Sequence, residues 1–246
     1  TRRQPGLREG DFMEAEYLGL DNVLAACRSH GVRRVIYVTT LGIEPGSSNP
    51  WMHGRWVAEQ RLLESGLDAT ILQPGQVLGL GGGGFDMTLA QSRRRIAFIL
   101  GTGEQRYRNI ALEDLLYYLV GVLEEPRSYG QRYQVGCDDI VTYDQMIDIC
   151  AEEQGRPHPS KVHIPLQALR PLARLLWWLL RLPAGAGVAG VESFEGDLIG
   201  DPMPIRFLLP RQPLGYREGV RRMLAAVDEE SVPPREASGD RLLQRS

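Results

Sequence analysis

Between Gly31 and Leu80 two short apolar runs flank a longer stretch of mixed apolar and polar residues, a pattern that predicts strand, helix, strand. Val32 to Val38 is short and β-branched, bounded by Gly31 and the Thr39-Thr40-Leu41-Gly42 turn, and reads as a buried strand. Asn49 is a good N-cap, and Pro50 suits the first helical position, where its missing N–H costs nothing. That helix is expected to reach about Ser65, with Gly66 placed to stop it. Asp68 to Leu72 reads as a second buried strand, ending at Gln73-Pro74-Gly75. Two strands joined through a helix should be parallel, with a right-handed crossover. Ligands in such sheets sit beyond the carboxyl ends of the strands. The site is therefore expected at Thr39, Thr40 and Leu41 and at Pro74, Gly75 and Gln76.

The pattern on either side extends this unit. Asp11 to His30 carries the apolar stripe Leu20, Val23, Leu24 and Cys27 of a helix packed on the sheet. Four consecutive glycines, Gly81 to Gly84, precede a helix over Phe85 to Arg95 and an apolar run from Ile96 to Leu100. Arg106 to Ile110 reads as extended, and Ala111 to Glu124 as a helix with Glu113 and Asp114 in its first turn and Pro126 beyond its end. Arg132 to Val135 is a short strand. Thr142 and Gln145 then form a capping box that opens a helix to about Glu153. From Gly155 the character changes. Pro157, Pro159 and Pro165 mark an extended connector, and Leu166 to Leu182 reads as a helix containing Leu175-Leu176-Trp177-Trp178-Leu179-Leu180. Val191 to Leu209 follows no period, and a basic helix from Tyr216 to Val227 closes the fold.

Composition narrows the classes. With 43% hydrophobic and 24% charged residues, the chain of 246 residues can bury a sizeable core. A net charge of −3 gives no basic surface for nucleic acid. Cys27, Cys137 and Cys150 are scattered, without metal-ligand or disulfide spacing, which points to a reducing cytoplasm and no metal site. There is no apolar run of about 18 residues, hence no membrane span. The Trp177-Trp178 helix exceeds one apolar face, which leaves burial or a subunit or membrane-surface contact open. Lys161 is the single lysine.

A strand ending in two hydroxyl residues, a helix with a YxxxK-like position and the SGLDATILQPG stretch together resemble the short-chain dehydrogenase/reductase superfamily. The match is to its atypical, extended, NmrA-like NAD(P)H-binding branch and continues through GLGGGGFDM, RYRNIALEDLLYYLVGVLEEP and GQRYQVGCDDIVTYDQM. The resemblance implies an α/β fold with a partial doubly wound, Rossmann-like parallel sheet. It implies a dinucleotide-binding domain over 1–155, a smaller, mostly helical cap or substrate region over 156–228, and a disordered tail over 229–246. By the same resemblance, the first strands and the glycine-rich phosphate turn would precede Thr1. The chain is then expected to be N-terminally truncated, to leave one strand edge unpaired, and to bind NAD(P) weakly or not at all.

The superfamily's chemistry needs a Tyr and a Lys one turn apart, the Lys lowering the Tyr pKa for proton exchange with the substrate. The resemblance places Trp51 at the Tyr position and Arg55 at the Lys position. An indole is no acid or base, and a guanidinium does not give up its proton. His53 lies on a different helix face. Thr39 and Thr40 occupy the place of a catalytic hydroxyl, Thr40 being the candidate, or else cap the strand end. Arg55 is expected to reach ribose hydroxyls or to pair with Glu59. Phe85 and Met87 line a substrate pocket or the core; Arg106 and Arg108 meet an anion or form a solvated strand edge; Asp138 and Asp139 form a turn. The implied function is an NAD(P)-binding oxidoreductase or epimerase without the Tyr/Lys dyad, acting on a small molecule. The alternative is a non-catalytic nucleotide sensor or assembly factor of the same fold.

Overall fold

The computed structural model describes residues 11–47, 49–81, 83–165 and 196–231. The helix expected around Trp177-Trp178 and the tail from 232 onward lie outside the described residues. Strands β1 (Arg34–Val38), β2 (Asp68–Pro74), β3 (Gln76–Leu78), β4 (Ile96–Leu100), β5 (Arg106–Ala111), β6 (Gln131–Val135), β7 (Ile140–Thr142) and β8 (Ser160–Ile164) alternate with helices. The helices are α1 (Asp11–Ser29), α2 (Pro50–Leu63), α3 (Gly83–Ser92), α4 (Leu112–Gly121), α5 (Tyr143–Glu153), α6 (Met203–Leu208) and α7 (Tyr216–Ser231). The mixed α/β, parallel-sheet class expected from the sequence is what the chain adopts.

The main sheet has the order β1-β2-β6, both pairs parallel, with Arg34 opposite Asp68 and Thr70 opposite Gln131. β2 is covered on both faces, which its unbroken apolar run anticipates. β1 departs from the buried strand expected. It is only half-buried, with Val38 exposed, because among the described residues it pairs on one side alone and forms the sheet edge. Leu24 of α1 and Leu62 of α2 pack on Ala69 and Ile71 from one face. From the other, Leu115, Tyr118 and Val122 of the α4 region and Ile205 of α6 pack on Leu72, Ile110 and Val135. Burying these side chains contributes about 1.5–3 kcal/mol each before chain entropy is counted.

Local signals hold most boundaries. Asn49 Oδ1 accepts from the backbone N–H groups of Trp51 (2.9 Å) and Met52 (3.3 Å), so α2 starts where its cap dictates. The Thr142–Gln145 capping box forms in full at α5. The α4 C-terminus is finished by a residue distant in sequence. Arg34 donates to the carbonyls of Val122 and Leu123 and to Ser128 Oγ, and its burial lowers its pKa. A cation there complements the carbonyl end of the helix dipole.

A second body of side chains gathers Phe85, Leu89, Ile99, Tyr107, Tyr143, Met146, Ile147, Cys150, Tyr216 and Val220. It packs α3, α5 and α7 against the order β3-β5-β7 (β3-β5 parallel, β5-β7 antiparallel) and the parallel pair β4-β8. The connector expected after Gly155 contributes β8. The closing helix reaches Ser231, beyond the Val227 expected, so the first residues assigned to the tail are helical. α3 likewise begins inside the glycine run, at Gly83.

Candidate functional site

The two strand ends singled out in the sequence meet. Thr39 N donates to Leu72 O (2.9 Å) and Leu41 N to Pro74 O (2.9 Å), so the β1 and β2 tips continue as one hydrogen-bonded edge past the last paired residues. Gly75 N donates to Val135 O (2.9 Å), tying the corner to the β6 tip. A Cβ at Gly75 would stand 1.7 Å from Arg108 O, so glycine is required there for close approach of the β2–β3 corner to β5.

Beneath these tips lies the Glu59 carboxylate, which in the sequence stands out only as a pairing partner for Arg55. Glu59, on α2, is fully buried. Thr39 Oγ1 donates to its Oε1 (2.6 Å), and Gln73 Nε2 lies 3.0 Å from both carboxylate oxygens. Arg132 Nε of β6 stands 2.7 Å from Oε2, an ion-pair contact without hydrogen-bond alignment. One side chain on α2 thereby touches all three strands of the main sheet, at the ends of β1 and β2 and at the start of β6. The Thr39 hydroxyl has this structural partner, and the half-buried Thr40 is the next hydroxyl along the tip.

Trp51 and Arg55 share a helix face, as their spacing requires. The Arg55 guanidinium lies 5.0 Å from the Trp51 ring centroid. Its Nη1 also lies 3.4 Å from the hydroxyl of Tyr37, on β1. A phenol thus stands beside the guanidinium, delivered by a strand and not by the helix. No spacing rule within α2 points to it. His53 is exposed and stacks near Trp56, with ring centroids 6.1 Å apart.

The returning segment 196–201 crosses the same region. Leu198 N donates to Arg106 O (2.8 Å), and Arg108 N to Leu198 O (2.9 Å). Asp197 accepts from the Arg106 backbone (2.9 Å) and side chain (2.6 Å), which holds its carboxyl below its ordinary pKa. Arg108 donates to Ile199 O (2.6 Å) and Cys137 O (2.5 Å). The two arginines therefore fasten this segment to β5. Leu198 Cδ2 occupies the space a Gly42 Cβ would need (2.5 Å away), and Asp201 N reaches Gln134 Oε1 (2.6 Å) at the β6 tip.

The other candidates resolve into packing. Phe85 is core and Met87 exposed. Asp138 pairs with Arg206, which lowers its pKa, while Asp139 Oδ2 accepts from Tyr216 N (2.8 Å) at the start of α7. Cys137 and Cys150 are buried free thiols, and burial pushes Cys150 up to about 11. Among the described residues no group of three or more His, Cys, Asp or Glu is placed to hold a metal, and no helix is long and apolar enough to cross a membrane.

Residues 5–95 match the NAD(P)H-binding family. The chain is 23% identical to the 2-alkyl-3-oxoalkanoate reductase of Stenotrophomonas maltophilia (strain K279a), over 87% of this chain and 74% of that protein. It is 22% identical to the mitochondrial NADH dehydrogenase (ubiquinone) 1 alpha subcomplex subunit 9 of Arabidopsis thaliana, over 70% of this chain and 43% of that one. The UDP-glucose 4-epimerase of Thermus thermophilus, solved in complex with NAD, superposes with a TM-score of 0.61 at 18% identity, covering 85% of this chain and 68% of the other. The fold is that of these Rossmann-like reductases and epimerases.

Proposed function

We propose, from a chain whose residues 5–95 match the NAD(P)H-binding family, an NAD(P)-binding oxidoreductase-type protein that works without the superfamily's Tyr/Lys pair. The observation that carries this reading is the joined β1–β2 edge, where Leu41 N meets Pro74 O at the carboxyl ends of parallel strands. The residues around it suit a dinucleotide. Thr40, Leu41 and the Pro74-Gly75-Gln76 corner contribute a hydroxyl and backbone groups, and Arg55 contributes a cation for ribose hydroxyls. When bound, the nicotinamide ring supplies or accepts a hydride. The chain's own residues orient the ring, and the hydroxyls of Thr40 and of Tyr37 beside Arg55 are the candidates for the proton.

A second reading is a nucleotide-binding protein with no turnover, a sensor or assembly factor. The stacking of Arg55 on Trp51 supports it, because it sets an indole and a guanidinium where proton exchange would otherwise occur. One test separates the two. NADH and NADPH are titrated into the chain expressed with its natural upstream sequence by calorimetry and Trp fluorescence, and turnover is scanned on a carbonyl panel. Turnover that Thr40→Val or Tyr37→Phe abolishes and His53→Ala spares supports the enzyme. Binding without turnover supports the sensor, and absence of binding overturns both.

A further inference from the structure

One pair of polar side chains in the second cluster has no counterpart. Asn109, on β5, is completely buried, and neither Oδ1 nor Nδ2 has a hydrogen-bond partner among the described residues. Its registered neighbour across the parallel β3-β5 pair is Gln76, whose buried Oε1 is likewise without a partner there. Side chains alternate along a strand, so Asn109 shares a face with Tyr107, which packs with Phe85 and Tyr143. The Gln76 carboxamide reaches the first turn of α3, its Nε2 2.8 Å from where a Gly84 Cβ would be. That contact gives the last glycine of the run a reason to lack a side chain.

Buried amides normally bond each other, the backbone or a ligand, and leaving them unbonded destabilises the fold. Two adjacent carboxamides, Asn109 with neither polar atom bonded and Gln76 with its oxygen unbonded, lie one step past the Pro74-Gly75 corner. We propose that Gln76 and Asn109 form a subsite that hydrogen-bonds an uncharged group carrying both donor and acceptor, a carboxamide or a hydroxyl, on the bound small molecule. A charged group is disfavoured, since it would lose its hydration beside Tyr107, Phe85 and Tyr143 without a counter-charge. The inference rests on the dinucleotide reading above and deepens it. The group belongs either to the nicotinamide end of the cofactor or to a sugar-like co-substrate.

The test combines Asn109→Leu, Asn109→Ala and Gln76→Met with thermal melts and three probes. These are NAD+, its 3-acetylpyridine analogue (which lacks the amide NH2), and UDP-glucose in the presence of NAD+. Affinity for one probe is expected to fall on the order of tenfold in all three variants, with the Asn109→Leu melting temperature unchanged or raised. Loss for NAD+ but not for the analogue identifies the carboxamide, and loss for UDP-glucose alone identifies the hydroxyl. Unchanged affinities in variants that melt normally overturn the subsite and leave the dinucleotide reading standing. Wild-type protein expressed with its natural upstream sequence that binds neither dinucleotide overturns that reading and the subsite with it.

Discussion

Glu59 offers the sharpest quantitative test of how the site is built. Its carboxylate is fully buried and sits against Thr39, Gln73 and Arg132, each from a different strand of the main sheet. Glu59→Gln keeps the volume and removes the charge, leaving Arg132 without its counter-ion. Breaking a buried pair by deleting one partner costs about 3–5 kcal/mol. Arg132 keeps 31% of its side chain in solvent, so water compensates in part and the loss should fall near the lower bound, about 3 kcal/mol. Arg132→Met strands the carboxylate, which has no such access, and should cost about 4–5 kcal/mol. In a chain of this size about 3 kcal/mol lowers the melting temperature by roughly 6–12 °C. The assay is urea and thermal unfolding of both single variants and the double, read as a double-mutant cycle. A coupling of about 1–3 kcal/mol is expected, with the double variant less damaged than the sum of the singles. Additivity within about 0.5 kcal/mol would refute the claim that these charges act as one unit.

Four other outcomes follow from the same structure. Gly75→Ala should prevent normal folding, because its Cβ would meet the Arg108 carbonyl, which is backbone and cannot move aside; Gly42→Ala meets the movable end of Leu198, though at a φ of +83°, and should melt lower yet still fold. Circular dichroism and melts of the two variants check the order. On the acid side, Arg127 holds Glu125 down at about 2, and Asp138, Glu152, Glu153 and Asp197 are lowered by their arginine partners. A lowered folded pKa gives stability present above the unfolded value and lost as pH falls through the folded one, so urea midpoints should drop steadily from about pH 4 toward pH 2. On the alkaline side, burial pushes Tyr107 up to about 12; its contribution is whole below the ordinary phenol value and fades between about pH 10 and 12, visible as a late step in a phenolate absorbance titration. Finally, Cys150 and Cys137 are buried thiols with raised pKa values, so a thiol reagent at pH 8 should modify Cys27 first, mapped by mass spectrometry.

The legible parts of this chain were those written in neighbouring residues. Asn49-Pro50 announces a helix start because cap and fixed φ act within one turn. Thr142 and Gln145 do so because their bonds are reciprocal and local. The parallel β1–β2 pairing and the meeting of its two tips were inferable because a helical crossover makes neighbouring strands parallel. The Glu59 network was not inferable from sequence. Within α2 that residue looks like any polar position, and its partners come from three strands that only the sheet order brings together. The same holds for Tyr37, which reads as a β-strand aromatic until Arg55 folds against it. Residues 196–201 carry no period because they are held by a single backbone bridge at Leu198 and by the side chains of Arg106 and Arg108, not by a repeating ladder of their own. The exposure of β1 also escaped the pattern, since edge and central parallel strands are equally apolar in sequence.

These two kinds of information bear differently on function. The region around the strand ends keeps features that are costly to build: a fully buried carboxylate held by side chains from three strands, a glycine no other residue can replace, and arginines that fasten a returning segment to β5. Where the resemblance places the proton-exchanging pair, α2 carries Trp51 and Arg55. Charge buried without a ligand to organise destabilises a fold compared with apolar packing, and so do unpartnered amides such as Asn109. A chain that had lost ligand binding together with catalysis would have no use for either, whereas one that still orients a dinucleotide needs its strand tips fixed and polar. On the proposed function, binding and chemistry fall to different residues. Mutations at Glu59, Gln76 and Asn109 should move affinity, Thr40→Val should move both affinity and turnover, and Tyr37→Phe should move turnover alone. If Glu59→Gln alters turnover at unchanged affinity, that division fails, and the carboxylate belongs with the proton-transfer residues.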